Sequence, residues 1–119
     1  MPDLLPVLDP RLLQDLLDMG AGPGLVQELI GLLKGDIPPR FATLRTALGA
    51  LDGDTAIQEV HQMKGALGNM GLKRAADLAG RTEDHLRAGR WDEAKILAEA
   101  LPGAYEEALA ALLAAFLEG

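Results

Sequence analysis

The chain is 119 residues long, 49% hydrophobic but only 3% aromatic, without cysteine and with a formal net charge of −7. A chain of that size closes as one domain around a single core of Leu, Ala, Val, Ile and Met, and its acidic balance argues against nucleic acid or an anionic membrane surface as partner. Without cysteine there is neither a disulfide framework nor a thiolate zinc site.

The opening Met1-Pro2-Asp3-Leu4-Leu5 lacks the cationic start and apolar run of a signal peptide. No segment offers about 18 uninterrupted apolar residues, so a cytoplasmic protein is expected. Asp9-Pro10 predicts the start of a first helix over 9–19, with aspartate as N-cap and proline in the first turn. It should stop in Gly20-Ala21-Gly22-Pro23-Gly24. A longer helical pattern covers 25–48. Pro38 and Pro39 interrupt it, because proline removes a donor and clashes with the preceding turn; a kink or break near 35–39 is expected, with Asp36 able to cap a renewed helix.

The next helix is predicted over 54–70, with Asp54 as N-cap and Gly71 as a left-handed C-cap. Another follows over 73–88, with Ala76, Leu78, Ala79 and Leu86 among its apolar positions and Gly89 closing it. The last spans 91–117, with Trp91 as a packing anchor and a second kink near Pro102. There is no strand signal and no internal repeat. Short connections after Leu48 make neighbouring helices antiparallel. The predicted fold is all-α: one domain, 1–119, an antiparallel four-helix bundle with the short N-terminal helix laid over it as a lid.

Helix 54–70 carries the functional signal. At about 100° per residue, Ala56, Val60, Met63, Leu67 and Met70 share a stripe roughly 80° wide, and His61 points about 140° away from its centre. Lys64 and Gly65, three and four residues on, are its neighbours on the helix surface, and Gly68 extends the strip. Each glycine on an exposed helical face costs about 1 kcal/mol relative to alanine. Something must gain from the missing side chains, and the simplest gain is close approach of a protein backbone or a phosphoryl group to His61.

The spacing His-x-x-Lys-Gly-x-x-Gly-x-x-Gly, carried by His61, Lys64, Gly65, Gly68 and Gly71, resembles the core of the histidine phosphotransfer (HPt) domain family, the four-helix modules of multistep phosphorelays. The resemblance extends upstream through residues 40–48 and the Asp52-Gly53-Asp54 turn. Downstream it takes in Ala79-Gly80-Arg81-Thr82-Glu83 and the ending Arg87-Ala88-Gly89. Thr82 departs from the apolar residue usual at its place. From about Leu12 onward the chain can be laid on the family pattern.

The resemblance implies that His61 accepts a phosphoryl group and exchanges it with an aspartate of a response-regulator receiver domain. Neutral imidazole suits that role, since it attacks phosphorus near pH 7 without strong activation. Lys64 is expected to offer its ammonium to the phosphoryl oxygens. Gly65 and Gly68 read as clearance residues, and with Gln58, Gln62 and Asn69 they make up the expected docking surface. Some family members, notably chemotaxis kinases, place a glutamate where Glu83 stands; there it accepts a hydrogen bond from the histidine Nδ1 and leaves Nε2 free. The sequence equally allows Glu83 to be a solvated surface acid.

The further implications concern partners. The receiver would bring Mg²⁺, so no cofactor or metal is expected in this chain, and the upstream partner would be a hybrid sensor histidine kinase. With no Gly-rich phosphate loop and no room for an ATP-binding domain, the chain reads as a phosphocarrier rather than an independent catalyst. A monomer is expected, because the histidine helix must stay accessible. The alternative is a non-phosphorylated helical adaptor that binds or sequesters a receiver domain or kinase; intact His61 and Lys64 count against it. A His61–His85 metal site lacks further ligands, and the paired Glu-x-x-His motifs of di-iron bundles are missing. The acidic pairs Asp92-Glu93 and Glu106-Glu107 resemble no catalytic carboxylate pair.

Overall fold

A computed structural model of the chain describes residues 5–116. The first four residues of the opening segment and the expected helix end at Leu117 lie outside the described residues. Five helices follow in order: α1 (Arg11–Asp18), α2 (Pro23–Gly49), α3 (Gly53–Asn69), α4 (Lys73–Arg87) and α5 (Trp91–Phe116). There is no strand among the described residues, and no helix there is long and apolar enough to cross a membrane.

The connections 50–52, 70–72 and 88–90 are too short to do anything but reverse the chain. Each of the last four helices therefore packs on its sequence neighbour, and α5 closes the ring against α2. Down the α3–α4 seam, His61 meets Glu83, Lys64 lies beside Gly80 and Gly68 faces Ala76. Partners rise along one helix as they fall along the other, so the pair is antiparallel.

The stripe predicted for the histidine helix is the one that is buried: Ala56, Val60, Met63, Leu67 and Met70 all belong to the core. Side chains such as Val60 and Leu67 each contribute about 1.5–3 kcal/mol by leaving water. Burying that stripe fixes the rotation of α3 and holds His61 on the outside. The one close aromatic contact described is edge-on, Phe41 against Tyr105 at 5.8 Å.

Three local expectations need correction. First, of the kink or break expected near 35–39 the break does not occur: α2 runs unbroken through Pro38 and Pro39, as α5 does through Pro102. The prolines of α2 lie on an exposed face, as do Lys34 and Gly35, whose carbonyls lose their usual donors and can turn to water. Ile37 and Leu33 are buried on the other face and pin the helix there. Asp36 caps nothing; it accepts hydrogen bonds from Arg40 at 3.0 and 3.2 Å.

Second, Asp52 rather than Asp54 caps α3, its carboxylate accepting the Thr55 N–H at 3.2 Å. Asp54 falls in the first turn, where negative charge complements the helix dipole. Third, the N-cap position of α1 is Pro10, although the Asp9 carboxylate still accepts the Arg11 N–H at 3.1 Å. Asp9 is also an anchor: its N–H donates to the Gly71 carbonyl at 2.7 Å, and its carboxylate meets Arg11 and Lys73. These cations hold the Asp9 carboxyl far below the ordinary aspartate range, the Arg11 hydrogen bond contributing most. The segment before α1 thus lies across the α3–α4 turn, while Leu13 of α1 is buried in the core. Gly71 adopts φ 77° as a helix-ending glycine, and a Cβ there would collide with the Asp9 carbonyl oxygen.

Candidate functional site

His61 projects from the outer face of α3 with 59% of its side chain accessible. Across the seam, α4 presents Glu83, whose side chain is only 8% accessible. Its carboxylate oxygens lie 3.2 and 3.3 Å from the His61 Nδ1. A carboxylate only accepts hydrogen bonds, so Nδ1 carries the proton and donates it. In the neutral ring Nε2 is then the nitrogen with a free lone pair. Glu83 is therefore not a solvated surface acid; it faces the histidine from a buried position.

Burial by itself would push the Glu83 carboxyl up. Hydrogen bonds from Arg87 and then from His61, helped by their charge, outweigh it and hold the group below the ordinary glutamate range. The Arg87 contacts are the shorter ones: Nε and Nη2 donate to Glu83 Oε2 at 2.9 and 2.8 Å. Arg87 was missed in the sequence. Its signal was there, since Glu83-x-x-x-Arg87 is the i, i+4 spacing that pairs opposite charges on a helix.

Lys64 is exposed, and its stem lies over Gly80 of α4. A Cβ on Gly80 would come 3.4 Å from Lys64 Cδ and 3.5 Å from Cε. Lys64 thus borders an open groove along the α3–α4 seam, shared with Lys73, Asp77, Arg81 and Asp84. Gln58, Gln62 and Asn69 are exposed, and a side chain at Gly65 would enter open space. Gly68 differs from the expectation: it is half-buried at the seam, 3.9 Å from the Ala76 Cβ when its own Cβ is added. That separation is ordinary van der Waals contact, so packing against α4 leaves room for a Cβ and does not by itself account for the missing side chain.

Thr82 occupies its apolar position fully buried, and its hydroxyl donates to the Leu78 carbonyl at 2.8 Å. That bond to the preceding turn leaves no polar group unpaired. His85 turns to the far end of α4, where its Nδ1 accepts from Arg90 Nε at 2.8 Å. It does not join His61.

The site is therefore an accessible imidazole whose inner nitrogen is engaged by a buried carboxylate. An ammonium lies one turn along, and open space above Gly65. Such an arrangement can take an electrophile at Nε2 and balance the positive charge that then forms on the ring. Against known families, the sequence model described as the Hpt domain matches residues 28–116, which includes every residue of this site. No curated protein and no solved structure matches the chain.

Proposed function

The chain belongs to the Hpt domain family, the phosphocarriers of histidine phosphotransfer in phosphorelays, and we propose that its phosphoacceptor atom is Nε2 of His61. The partner in this reading is a response-regulator receiver domain carrying an aspartyl phosphate. The Nε2 lone pair attacks phosphorus, the Nε2–P bond forms, and the bond from phosphorus to the aspartate oxygen breaks, returning a carboxylate to the receiver. No proton has to leave, because the ring keeps its Nδ1–H on Glu83 and the new ring charge faces a carboxylate. The reverse steps return the phosphoryl group.

Lys64 in this reading swings its flexible stem from Gly80 to neutralise the transferring oxygens, which suits a group that must both take and release phosphate. Mg²⁺ comes with the receiver, and the chain itself needs no cofactor. Gln58, Gln62, Gly65 and Asn69 form the docking face around the histidine, with Gly68 supporting it from the seam. The upstream donor is a hybrid sensor kinase, and the carrier works as a monomer.

The observation that carries the reading is the Nδ1–Glu83 contact beneath an accessible ring. Its test is phosphotransfer from a phosphorylated receiver domain. The native chain should acquire an acid-labile, base-stable phosphate, and His61→Gln should acquire none. Label that survives His61→Gln would place the acceptor elsewhere. Tight receiver binding with no label in the native chain would instead mean an adaptor that sequesters its partner.

A further inference from the structure

Glu83 serves two partners unequally. Arg87 reaches Oε2 at 2.8 and 2.9 Å, within the range of charge-assisted hydrogen bonds. The His61 Nδ1 stands at 3.2 and 3.3 Å, nearly equidistant from both oxygens. That is longer than the usual N–H···O separation. The carboxylate is thus committed first to the guanidinium and only loosely to the imidazole.

The inequality matters for a nucleophile. A buried carboxylate without a counter-charge would favour the protonated imidazole beside it, and imidazolium has no lone pair with which to attack. Glu83 and Arg87 together present nearly zero net charge to His61 while keeping an acceptor in place for Nδ1. The other charged groups around the ring leave this balance alone. Glu59 on α3 is paired with Arg40 of α2 at 2.8 Å, Lys64 lies over Gly80, and Asp84 faces the groove. α5 packs on α4 and α2.

We propose that Arg87 is a positioning residue for the phosphoacceptor: by holding Glu83 through Oε2 it fixes the Nδ1–H tautomer of His61 without drawing the ring into a closed ion pair. This rests on the phosphocarrier reading of His61 and adds to it a setting of the pH at which the ring is competent. Arg87 touches neither the phosphoryl group nor its path. Its guanidinium acts through the carboxylate, and from the same position it keeps the later phosphohistidine from being held too firmly to be passed on.

The test is Arg87→Met, which removes the charge but keeps an apolar stem, with Arg87→Lys as the conservative variant. Two readouts are needed. The ring ¹⁵N signals of His61, assigned by their loss in His61→Gln, are followed against pH. The rate of phosphoryl acceptance from a phosphorylated receiver is measured over the same range. In Arg87→Met both the ring midpoint and the acid limb of the rate should move up by about half to one pH unit, as expected for loss of a half-exposed counter-charge. On the acid limb that is a fall of about three- to tenfold in rate, vanishing at higher pH. Arg87→Lys should lie close to native. An unmoved or lowered midpoint, or a rate loss equal at every pH, would overturn the proposal. The ring titration does not depend on phosphotransfer, so it judges Arg87 even if the native chain accepts no phosphate and the carrier reading fails.

Discussion

Across the α3–α4 seam the facing groups near the histidine are charged or absent: Glu83 lies between His61 and Arg87, and Lys64 crosses Gly80. Across the α2–α5 seam they are mostly apolar. Phe41 meets Tyr105 edge-on, and a cleft of about 310 Å³ between Leu44, Leu48, Ala98 and Pro102 is rimmed by Arg45, Lys95 and Glu99. The first seam keeps a buried carboxylate that is tolerable only because it is paired. The second has no such obligation. The reactive groups thus lie on one seam of the bundle, and a truncation on the apolar seam should show mainly in stability, a charge change beside the histidine mainly in phosphoryl acceptance.

The sharpest division should come from Tyr105→Ala. Tyr105 is buried and contacts Phe41, so truncation should lower the free energy of unfolding by about 3–5 kcal/mol. At a temperature where the variant is still folded, phosphoryl acceptance should be native. A large loss of acceptance in a folded Tyr105→Ala protein would show that the two sides are coupled.

Glu83→Gln makes the complementary change. The amide keeps the volume and an acceptor oxygen for Nδ1 but loses the charge that balances the phosphorylated ring. Acceptance should slow by about ten- to hundredfold, the scale seen when a supporting carboxylate beside a reactive group is altered. Chemical denaturation should show a change of no more than about 1 kcal/mol. Acceptance at the native rate would reduce Glu83 to a structural acid.

How much of this was legible beforehand differs between the seams in the same way. The apolar stripe of α3 and the outward direction of His61 followed from periodicity, because burial of Val60, Met63 and Leu67 leaves no other rotation. The burial of Glu83 did not. It depends on how α4 turns against α3, and one carboxylate in a polar stretch reads the same wherever it points. Gly68 is half-buried rather than fully open for a related reason, since the strip shared with His61 runs obliquely into the seam at Ala76. The helix does not break at Pro38 and Pro39: the proline rule counts a lost donor, and exposure of the freed carbonyl decides what that loss costs. Asp52 and Asp54 flank one glycine, and only the backbone distinguishes cap from first turn.

The charged seam should also respond to acid. Glu83 has a folded-state value below its ordinary 4.5, so it binds fewer protons folded than unfolded at acid pH. Its contribution to stability is complete above that ordinary value and is lost as pH falls through the lower, folded one. Asp9 and Asp52, both lowered by hydrogen bonds, act in the same direction. Unfolding free energy should therefore decline below about pH 4.5, and the decline should be shallower in Glu83→Gln than in the native chain. Equal slopes in the two proteins would assign acid sensitivity to the helix ends alone.

The smallest effect expected lies between the two seams, in the connection from α2 to α3. Leu51 has φ 56°, a left-handed conformation, and its side chain is exposed. A leucine there carries a backbone penalty of about 1–2 kcal/mol and buries little in return. Glycine removes that penalty but gives the unfolded chain more freedom, which returns about 0.5–1 kcal/mol of it. Leu51→Gly should therefore raise the unfolding free energy by about 0.5 kcal/mol, while Leu51→Ala, which keeps the Cβ, should not. Because Leu51 lies exposed in the α2–α3 connection, ten residues before the histidine, the rate of phosphoryl acceptance should be the same in both variants. A stabilised Leu51→Gly protein with altered acceptance would mean that this connection sets the rotation of α3, and with it the reach of His61.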